Sequence, residues 1–207
     1  MFELEGVNYR NILRYPDMTI PEGVTTCISG ESGSGKSTLL KLLNGVISPT
    51  EGAVRYAGRA VENYDPILLR REVLLVSQSV YLFDKSIQDN FNAYYAYREM
   101  EPPSEAEMMR YLDICSVHLP LSSMCQVLSG GERQRVFIAI NLSYGARVLM
   151  LDEPTSALDD KNAAALMENV KGYCKENRMT LLLVSHDKTI AERYADTMLV
   201  LPGGAGQ

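Results

Sequence analysis

Apolar residues along this chain change their period twice, and the changes divide it into three stretches. In the first, short apolar segments at Phe2–Tyr9, Thr25–Ser29 and 53–56 are bounded by turn residues such as Pro21-Glu22-Gly23 and Ala57-Gly58, which predicts strands. Residues 37–44 carry Leu39, Leu40, Leu42 and Leu43 at helical density and stop at Gly45, a residue suited to the position after a helix end. Residues 72–77 hold Val73-Leu74-Leu75-Val76, an unbroken apolar run that predicts a strand buried on both faces. From 79 to about 127 strand signals vanish, and Ser104-Glu105-Ala106-Glu107 fits a capping box followed by Met108, Leu112 and Cys115 on one helical face. That stretch predicts an inserted, mostly helical subdomain. The third stretch alternates: helix 131–144, strand 147–151, helix 161–176, strand 180–184, helix 187–194, strand 197–201. Such alternation implies right-handed crossovers. The predicted fold is α/β: a core with a mostly parallel sheet, an N-terminal antiparallel β subdomain and an inserted α-helical subdomain, all within one domain over 1–207.

Composition removes several function classes. A net charge of -6 and a pI near 5.0, without a long basic block, argue against nucleic acid as a partner and against direct docking to anionic lipid. No apolar run reaches the roughly 20 residues that span a bilayer. The opening Met1-Phe2-Glu3-Leu4-Glu5 lacks the basic and apolar regions of a signal peptide, so the chain is expected to stay where it is made. Cys27, Cys115, Cys125 and Cys174 show no C-x-x-C spacing, so neither zinc nor a dithiol is indicated and reduced thiols are expected.

The chemistry concentrates in three runs. Gly30-Glu31-Ser32-Gly33-Ser34-Gly35-Lys36-Ser37 has the form G-x-x-x-x-G-K-[ST], preceded by a predicted strand and followed, from Thr38 on, by a predicted helix. Glycines let backbone N–H groups turn inward around a triphosphate, and the helix presents its positive end to the same anion. Lys36 is placed to bridge the β and γ phosphates, and the Ser37 hydroxyl to ligate Mg²⁺. Alone, this loop leaves kinases, GTPases, helicases and pumps open. The second run, Val148-Leu149-Met150-Leu151, ends in Asp152 and Glu153, two carboxylates at the end of a predicted parallel strand, where ligands of such sheets bind. Asp152 is the expected Mg²⁺ partner, through water, and Glu153 is placed to orient or deprotonate an attacking water. The third run, Leu128-Ser129-Gly130-Gly131-Glu132, is itself a capping box that need do no more than start a helix. Yet consecutive glycines cost helix propensity, are not needed for capping, and allow an anion to approach the backbone closely.

In this order and spacing, the three runs resemble the ATP-binding cassette family of ATPases, and the resemblance covers essentially the whole chain. It implies ATP and Mg²⁺ as cofactors and a nucleotide contact for residues 30–38, with Thr38 included. It implies that Ser129, Gly130, Gly131 and Glu132 serve the nucleotide of an opposite cassette, in a head-to-tail homodimer or heterodimer. Gln78, at the end of the predicted strand 72–77, matches the family's loop glutamine, which touches Mg²⁺ or water. His186 matches the switch histidine that contacts the γ-phosphate. Ser156-Ala157-Leu158-Asp159 matches the loop that crosses the dimer interface. The implied catalytic set is Glu153, His186, Lys36 and Gln78; the implied metal set is Ser37, Gln78 and Asp152. Glu132 stands where the family most often has Gln, and Ile140 where relatives often have Arg. Asn11 falls where an adenine-stacking aromatic is expected, with Tyr9 or Tyr15 as substitutes.

The segment Leu82-Phe83 with Ser86-Ile87 and Asn90 is similar to exporter-type cassettes, at the surface that would receive a membrane subunit's cytoplasmic helix. The resemblance therefore implies an ATP-hydrolysing subunit of a transporter, working with transmembrane subunits on separate chains. It would sit in the cytoplasm, held at the inner face of the membrane by those subunits. A soluble ATPase of the same family acting in DNA maintenance or translation, and a P-loop metabolite kinase, stand as alternatives. The first generally carries long coiled-coil or zinc-bearing insertions, or a second cassette, that this sequence does not show; the second leaves Ser129–Glu132 and His186 unexplained.

Overall fold

The computed structural model describes residues 1–202. Along the chain run strands β1 (Phe2–Tyr9), β2 (Leu13–Arg14), β3 (Met18–Ile20) and β4 (Thr25–Ser29), helix α1 (Lys36–Leu43), strands β5 (Glu51–Tyr56) and β6 (Arg59–Ala60), helix α2 (Pro66–Glu72) and strand β7 (Val73–Val76). Helices α3 (Ile87–Ala96), α4 (Glu105–Ile114) and α5 (Gly130–Leu142) follow, then β8 (Val148–Asp152), α6 (Asp160–Glu176), β9 (Thr180–Val184), α7 (Lys188–Tyr194) and β10 (Thr197–Val200). They form two compact units: one from Met1–Val76, Ala146–Glu153 and the chain from Cys174 onward, the other from Ser77–Gly145 and Pro154–Tyr173.

The first unit holds two sheets. β1 pairs antiparallel with β2, β3 and β5, and β5 with β6. The second sheet is parallel throughout, in the order β10-β4-β9-β8-β7. β8 and β9 are buried at every position, as continuous apolar runs in a parallel sheet require. Helix α1 packs on both sheets, and Leu39, Leu40, Leu42 and Leu43 are all fully buried in one core with Phe2, Val54, Ile28, Met150 and Leu182. Its far end closes with Val46 N–H donating to the Lys41 carbonyl and Gly45 N–H to the Leu42 carbonyl, the paired bonds of a Schellman stop.

The strand expected over 72–77 is shorter, because Glu72 closes α2, a helix the apolar period does not predict. Its signal is chemical: Asp65 accepts from the N–H groups of Ile67 and Leu68 at 2.8 and 3.0 Å, and Pro66 takes the first turn, where a missing N–H costs nothing.

The second unit takes in more chain than the helical stretch 79–127. α4 packs on α5, Tyr111 meets Tyr173 edge to face with centroids 5.9 Å apart, and Arg135 donates to the Ser116 carbonyl and the Asn162 side chain. α5 and most of α6 therefore belong with α3 and α4. Buried Asn90 fastens the preceding loop: it accepts from the Phe83 N–H at 2.8 Å and donates to the Phe83 and Ser86 carbonyls. Among the described residues, no helix is long and apolar enough to cross a membrane.

Since α1 is enclosed by both sheets, Leu40→Ala leaves a cavity that neighbouring strands cannot fill without breaking their ladders. Urea unfolding is expected to show a loss of about 2–5 kcal/mol. A loss below 1 kcal/mol would mean the helix is not held from both sides.

Candidate functional site

The parallel register aligns Ile28, Val184 and Asp152 across β4, β9 and β8. Three loops therefore leave adjacent strands at one edge: residues 30–35 after β4, Glu153 after β8, and Ser185-His186 after β9. This is the carboxyl edge at which ligands of parallel sheets bind.

The loop after β4 wraps the start of α1. Gly35 is the residue before the helix, at φ 90, a left-handed conformation that L side chains rarely adopt. A Cβ there would also fall 2.6 Å from the Tyr15 hydroxyl and 2.9 Å from Leu13 Cδ1. Lys36 is buried, and its Nζ donates back to the Gly30 and Glu31 carbonyls at 2.8 and 2.9 Å. An ammonium thus lies inside the loop, its charge met by carbonyl dipoles that an incoming phosphate could replace. Ser37 is exposed in the first turn of α1, beside half-buried Thr38; Ser32 and Gly33 are exposed and Ser34 is buried.

Both carboxylates at the end of β8 are buried. Asp152 Oδ1 finds no hydrogen-bond partner among the described residues, a costly state that a hydrated divalent cation would relieve. The oxygens of Asp152 and Ser37 are the hard donors Mg²⁺ takes, so these residues fit that ion. Glu153 adopts φ 52, a strained conformation for a non-glycine residue of the sort that gathers at functional sites. Its N–H donates to the Val184 carbonyl at 3.0 Å. One carboxylate oxygen accepts the His186 N–H at 3.3 Å, and the other lies 3.1 Å from His186 Nε2, whose ring is 58% exposed. Burial pushes the Glu153 carboxyl above its ordinary range, and the bond from the His186 N–H only partly offsets this. A desolvated carboxylate of raised pKa, held from one side and beside a phosphate-type loop, is suited to accept a proton from water. A cleft of about 520 Å³ opens alongside, lined by Ser29, Gly30, Glu31, Ser185, His186 and Met198 among others.

The remaining candidates belong to the second unit. Gln78 is exposed. Ser129 accepts from the Glu132 N–H at 3.3 Å and donates from Oγ to Glu132 Oε2 at 2.7 Å, while Ser129 N–H donates to the same oxygen. The capping box is therefore real, and these bonds hold the Glu132 carboxyl below its usual range. The two glycines have different reasons. Gly130 faces open space. A Cβ on Gly131 would strike Leu158 Cδ2 at 2.8 Å and the Ala157 carbonyl at 2.9 Å, so the loop over 155–158 needs its bareness. Asp159 caps α6, accepting from Asn162 N–H at 2.9 Å and its side-chain amide at 2.6 Å. Ile140 is a fully buried core residue.

One sequence expectation is corrected. Tyr15 cannot present its ring to a base: it is buried and its hydroxyl donates to the Gly35 carbonyl at 2.9 Å. Tyr9 stays half-buried with the Arg10 guanidinium 5.2 Å over its ring, and Asn11 lies exposed in the turn between β1 and β2.

A family model described as "ABC transporter" matches residues 13–156 of this chain. The chain belongs to the ABC transporter ATP-binding family. The cassette is 34% identical over 214 residues to the probable iron export ATP-binding protein FetA of Escherichia coli (strain K12), spanning 100% of this chain and 93% of FetA. It is 39% identical over 205 residues to the mycobactin import ATP-binding/permease protein IrtB of Mycolicibacterium smegmatis, covering 96% of this chain but 35% of that longer protein. Among solved structures it is similar to the dimeric post-hydrolysis ATP-binding cassette MJ0796 bound to ADP and Pi, with TM-score 0.83, 26% identity, and 97% and 94% of the two chains covered. It is likewise similar to a bacterial Atm1-family ABC exporter with ATP bound, at TM-score 0.86 and 27% identity, over 97% of this chain and 37% of the exporter. The cassette is an ATPase of the transporter type, with the α/β fold of these structures.

Burial sets a pH signature for Glu153. Its folded-state pKa lies above the ordinary 4.5, so the folded cassette holds this proton more tightly than the unfolded chain does. That contribution to stability is fully present below 4.5 and is lost as pH rises through the raised value. Glu153→Gln cannot titrate, so its melting temperature should exceed that of the wild type by a margin that widens over this window and then levels off. A margin independent of pH would show that Glu153 is not desolvated.

Proposed function

We propose that this cassette powers a membrane transporter whose transmembrane subunits are separate chains, by closing head to tail on a second cassette around ATP and Mg²⁺. The observation that carries the reading is the cluster at the edge of β4, β9 and β8: a buried ammonium inside a glycine-rich loop, a buried Asp152 oxygen without a partner, and a desolvated Glu153 braced by His186. Residues 30–38 hold the phosphates, with Lys36 leaving the loop carbonyls to bridge the β and γ groups. Ser37 and Asp152 hold Mg²⁺, joined by Gln78; the bound ion would neutralise charge on the phosphate oxygens. Glu153 orients the attacking water and takes its proton, and His186 fixes that carboxylate while reaching the γ-phosphate.

Ser129, exposed Gly130, Gly131, Glu132 and Asp159 have no role within one copy beyond capping and packing. They serve the partner cassette's nucleotide. A groove of about 480 Å³ in the helical unit, lined by Tyr81, Phe83, Tyr94, Tyr97 and Tyr144 with Arg98, is the proposed seat for a transmembrane subunit's helix. Its rim residues Tyr81 and Tyr97 are 62% and 76% exposed, an apolar and aromatic patch of the kind that marks a protein contact. Through that contact the cassette would be held at the cytoplasmic face of the membrane. FetA, similar over 93% of its length, is named a probable iron export ATP-binding protein, which supports the separate-subunit arrangement.

Glu153→Gln keeps size and hydrogen bonding but removes the base, so hydrolysis should fall by roughly 10²-fold or more. It also removes a negative charge beside the triphosphate, so ATP should persist and hold a dimer on size-exclusion chromatography, by ligand linkage. Near-normal turnover would sink the assignment.

Ser129→Arg should abolish hydrolysis while leaving ATP binding to the single cassette nearly intact. Mixing it with Lys36→Ala protein should restore part of the activity, because one composite site in the mixed dimer is whole. Absence of recovery in demonstrated mixed dimers would count against a site shared between chains.

A further inference from the structure

Tyr15 is 5% exposed, sits among the core residues of the first unit, and has its backbone N–H bonded to the Val7 carbonyl at 2.9 Å. A buried hydroxyl needs a partner, and this one finds it in the phosphate loop: it donates to the Gly35 carbonyl at 2.9 Å. The Gly35 carbonyl also accepts the Leu39 N–H at 2.8 Å, so two donors hold it on the inner side of the loop.

A trans peptide is planar, and its N–H points opposite to its carbonyl. Fixing the Gly35 carbonyl inward therefore fixes the Lys36 N–H outward, toward the place a phosphate occupies at a helix N-terminus. Gly35 has no side chain to steady this peptide and adopts φ 90, and no side chain caps the helix at this point. The Tyr15 hydroxyl lies only 2.6 Å and Leu13 Cδ1 2.9 Å from the position of a Gly35 Cβ, so these two side chains fill the space a larger residue would need.

We propose that Tyr15 is a positioning residue for triphosphate binding: its hydroxyl holds the Gly35–Lys36 peptide with the Lys36 N–H aimed at phosphate. This rests on the reading of residues 30–38 as the phosphate site. Tyr15 acts through the loop. Burial pushes its hydroxyl pKa well above the ordinary tyrosine range, so it stays a donor throughout the working pH range.

The test uses the full chain and inorganic tripolyphosphate with Mg²⁺, which probes the loop without a base or ribose. Tyr15→Phe removes one oxygen. It should weaken tripolyphosphate and ATP by the same factor, about 3- to 10-fold, as expected for one neutral hydrogen bond. KM for ATP should rise accordingly, with kcat changed less. Tyr56→Phe is the matched control, since Tyr56 is equally buried in the same unit and its hydroxyl bonds Glu72 at 3.1 Å. It should lower the melting temperature about as much and leave tripolyphosphate affinity unchanged. Lys36→Ala separates the two layers of the argument. If Lys36→Ala weakens tripolyphosphate but Tyr15→Phe does not, the role of Tyr15 is overturned and the loop reading stands. If Lys36→Ala is also silent, the loop reading itself fails. Equal weakening by Tyr56→Phe would make the effect one of general stability and would also overturn the proposal. Should Tyr15→Phe not fold, 3-fluorotyrosine at position 15 keeps the ring and the hydroxyl while making that hydroxyl a stronger donor. Tighter tripolyphosphate binding then supports the proposal, and unchanged binding overturns it.

Discussion

Helix α1 is buried between an antiparallel and a parallel sheet, and the placement of the candidate site follows from that burial. Leu39, Leu40, Leu42 and Leu43 are all fully buried, while Ser37 and Lys41, one turn apart, keep the exposed side of the helix. Enclosed in this way, the helix cannot roll or slide without opening a cavity on one side or the other. Its N-terminal end is therefore held at the carboxyl edge of β4, where backbone N–H groups left over from the first turn meet the ends of β8 and β9. Hydrophobic packing that involves no ligand thus decides where the electrostatics act.

At that edge the structure carries local costs, part of which a bound ligand would relieve. Lys36 is folded onto its own loop, Asp152 Oδ1 is buried without a hydrogen bond among the described residues, and Glu153 is both desolvated and held at positive φ. A polyphosphate with its cation would satisfy Lys36 and Asp152, whereas the Glu153 carboxylate, of the same sign as the phosphates, is left to act on water. A buried ammonium beside two buried carboxylates is the physical form of a site prepared for a charged substrate.

The helical unit is organised by different means. Aromatic side chains and buried amides dominate it: Asn90 ties down the segment that carries Phe83, Tyr95 bonds to Ser143, and Arg98 lies 3.8 Å over Tyr144. Phe83, Arg98 and Tyr144 also line the aromatic groove at the surface of this unit. Gly131 lets the start of α5 pack so closely on the loop at 155–158 that a Cβ there would meet Leu158 and the Ala157 carbonyl.

Wherever the physics is local, the sequence by itself determined the outcome. The glycine pattern and lysine of residues 30–37 carry their conformation in consecutive peptides. The capping boxes at Ser104 and Ser129 close over three residues, and the unbroken apolar runs of β8 and β9 announce burial on both faces. From these the α/β class, the parallel core and most of the candidate residues were legible. The cap at Asp65-Pro66 was legible too, but it lies outside any apolar period and so escapes a reading based on one. Only the tertiary structure decided what depends on residues distant along the chain. It turned Tyr15 from a candidate for the base into a strut beneath Gly35, 20 residues further along. It gave Gly131 a packing reason, it drew α5 and most of α6 into the helical unit, and it gathered Tyr81, Phe83, Tyr97 and Tyr144 around one groove. The physical reason is that a side chain's period reports how much of it is buried, while the atom it meets there is set by how separate elements pack.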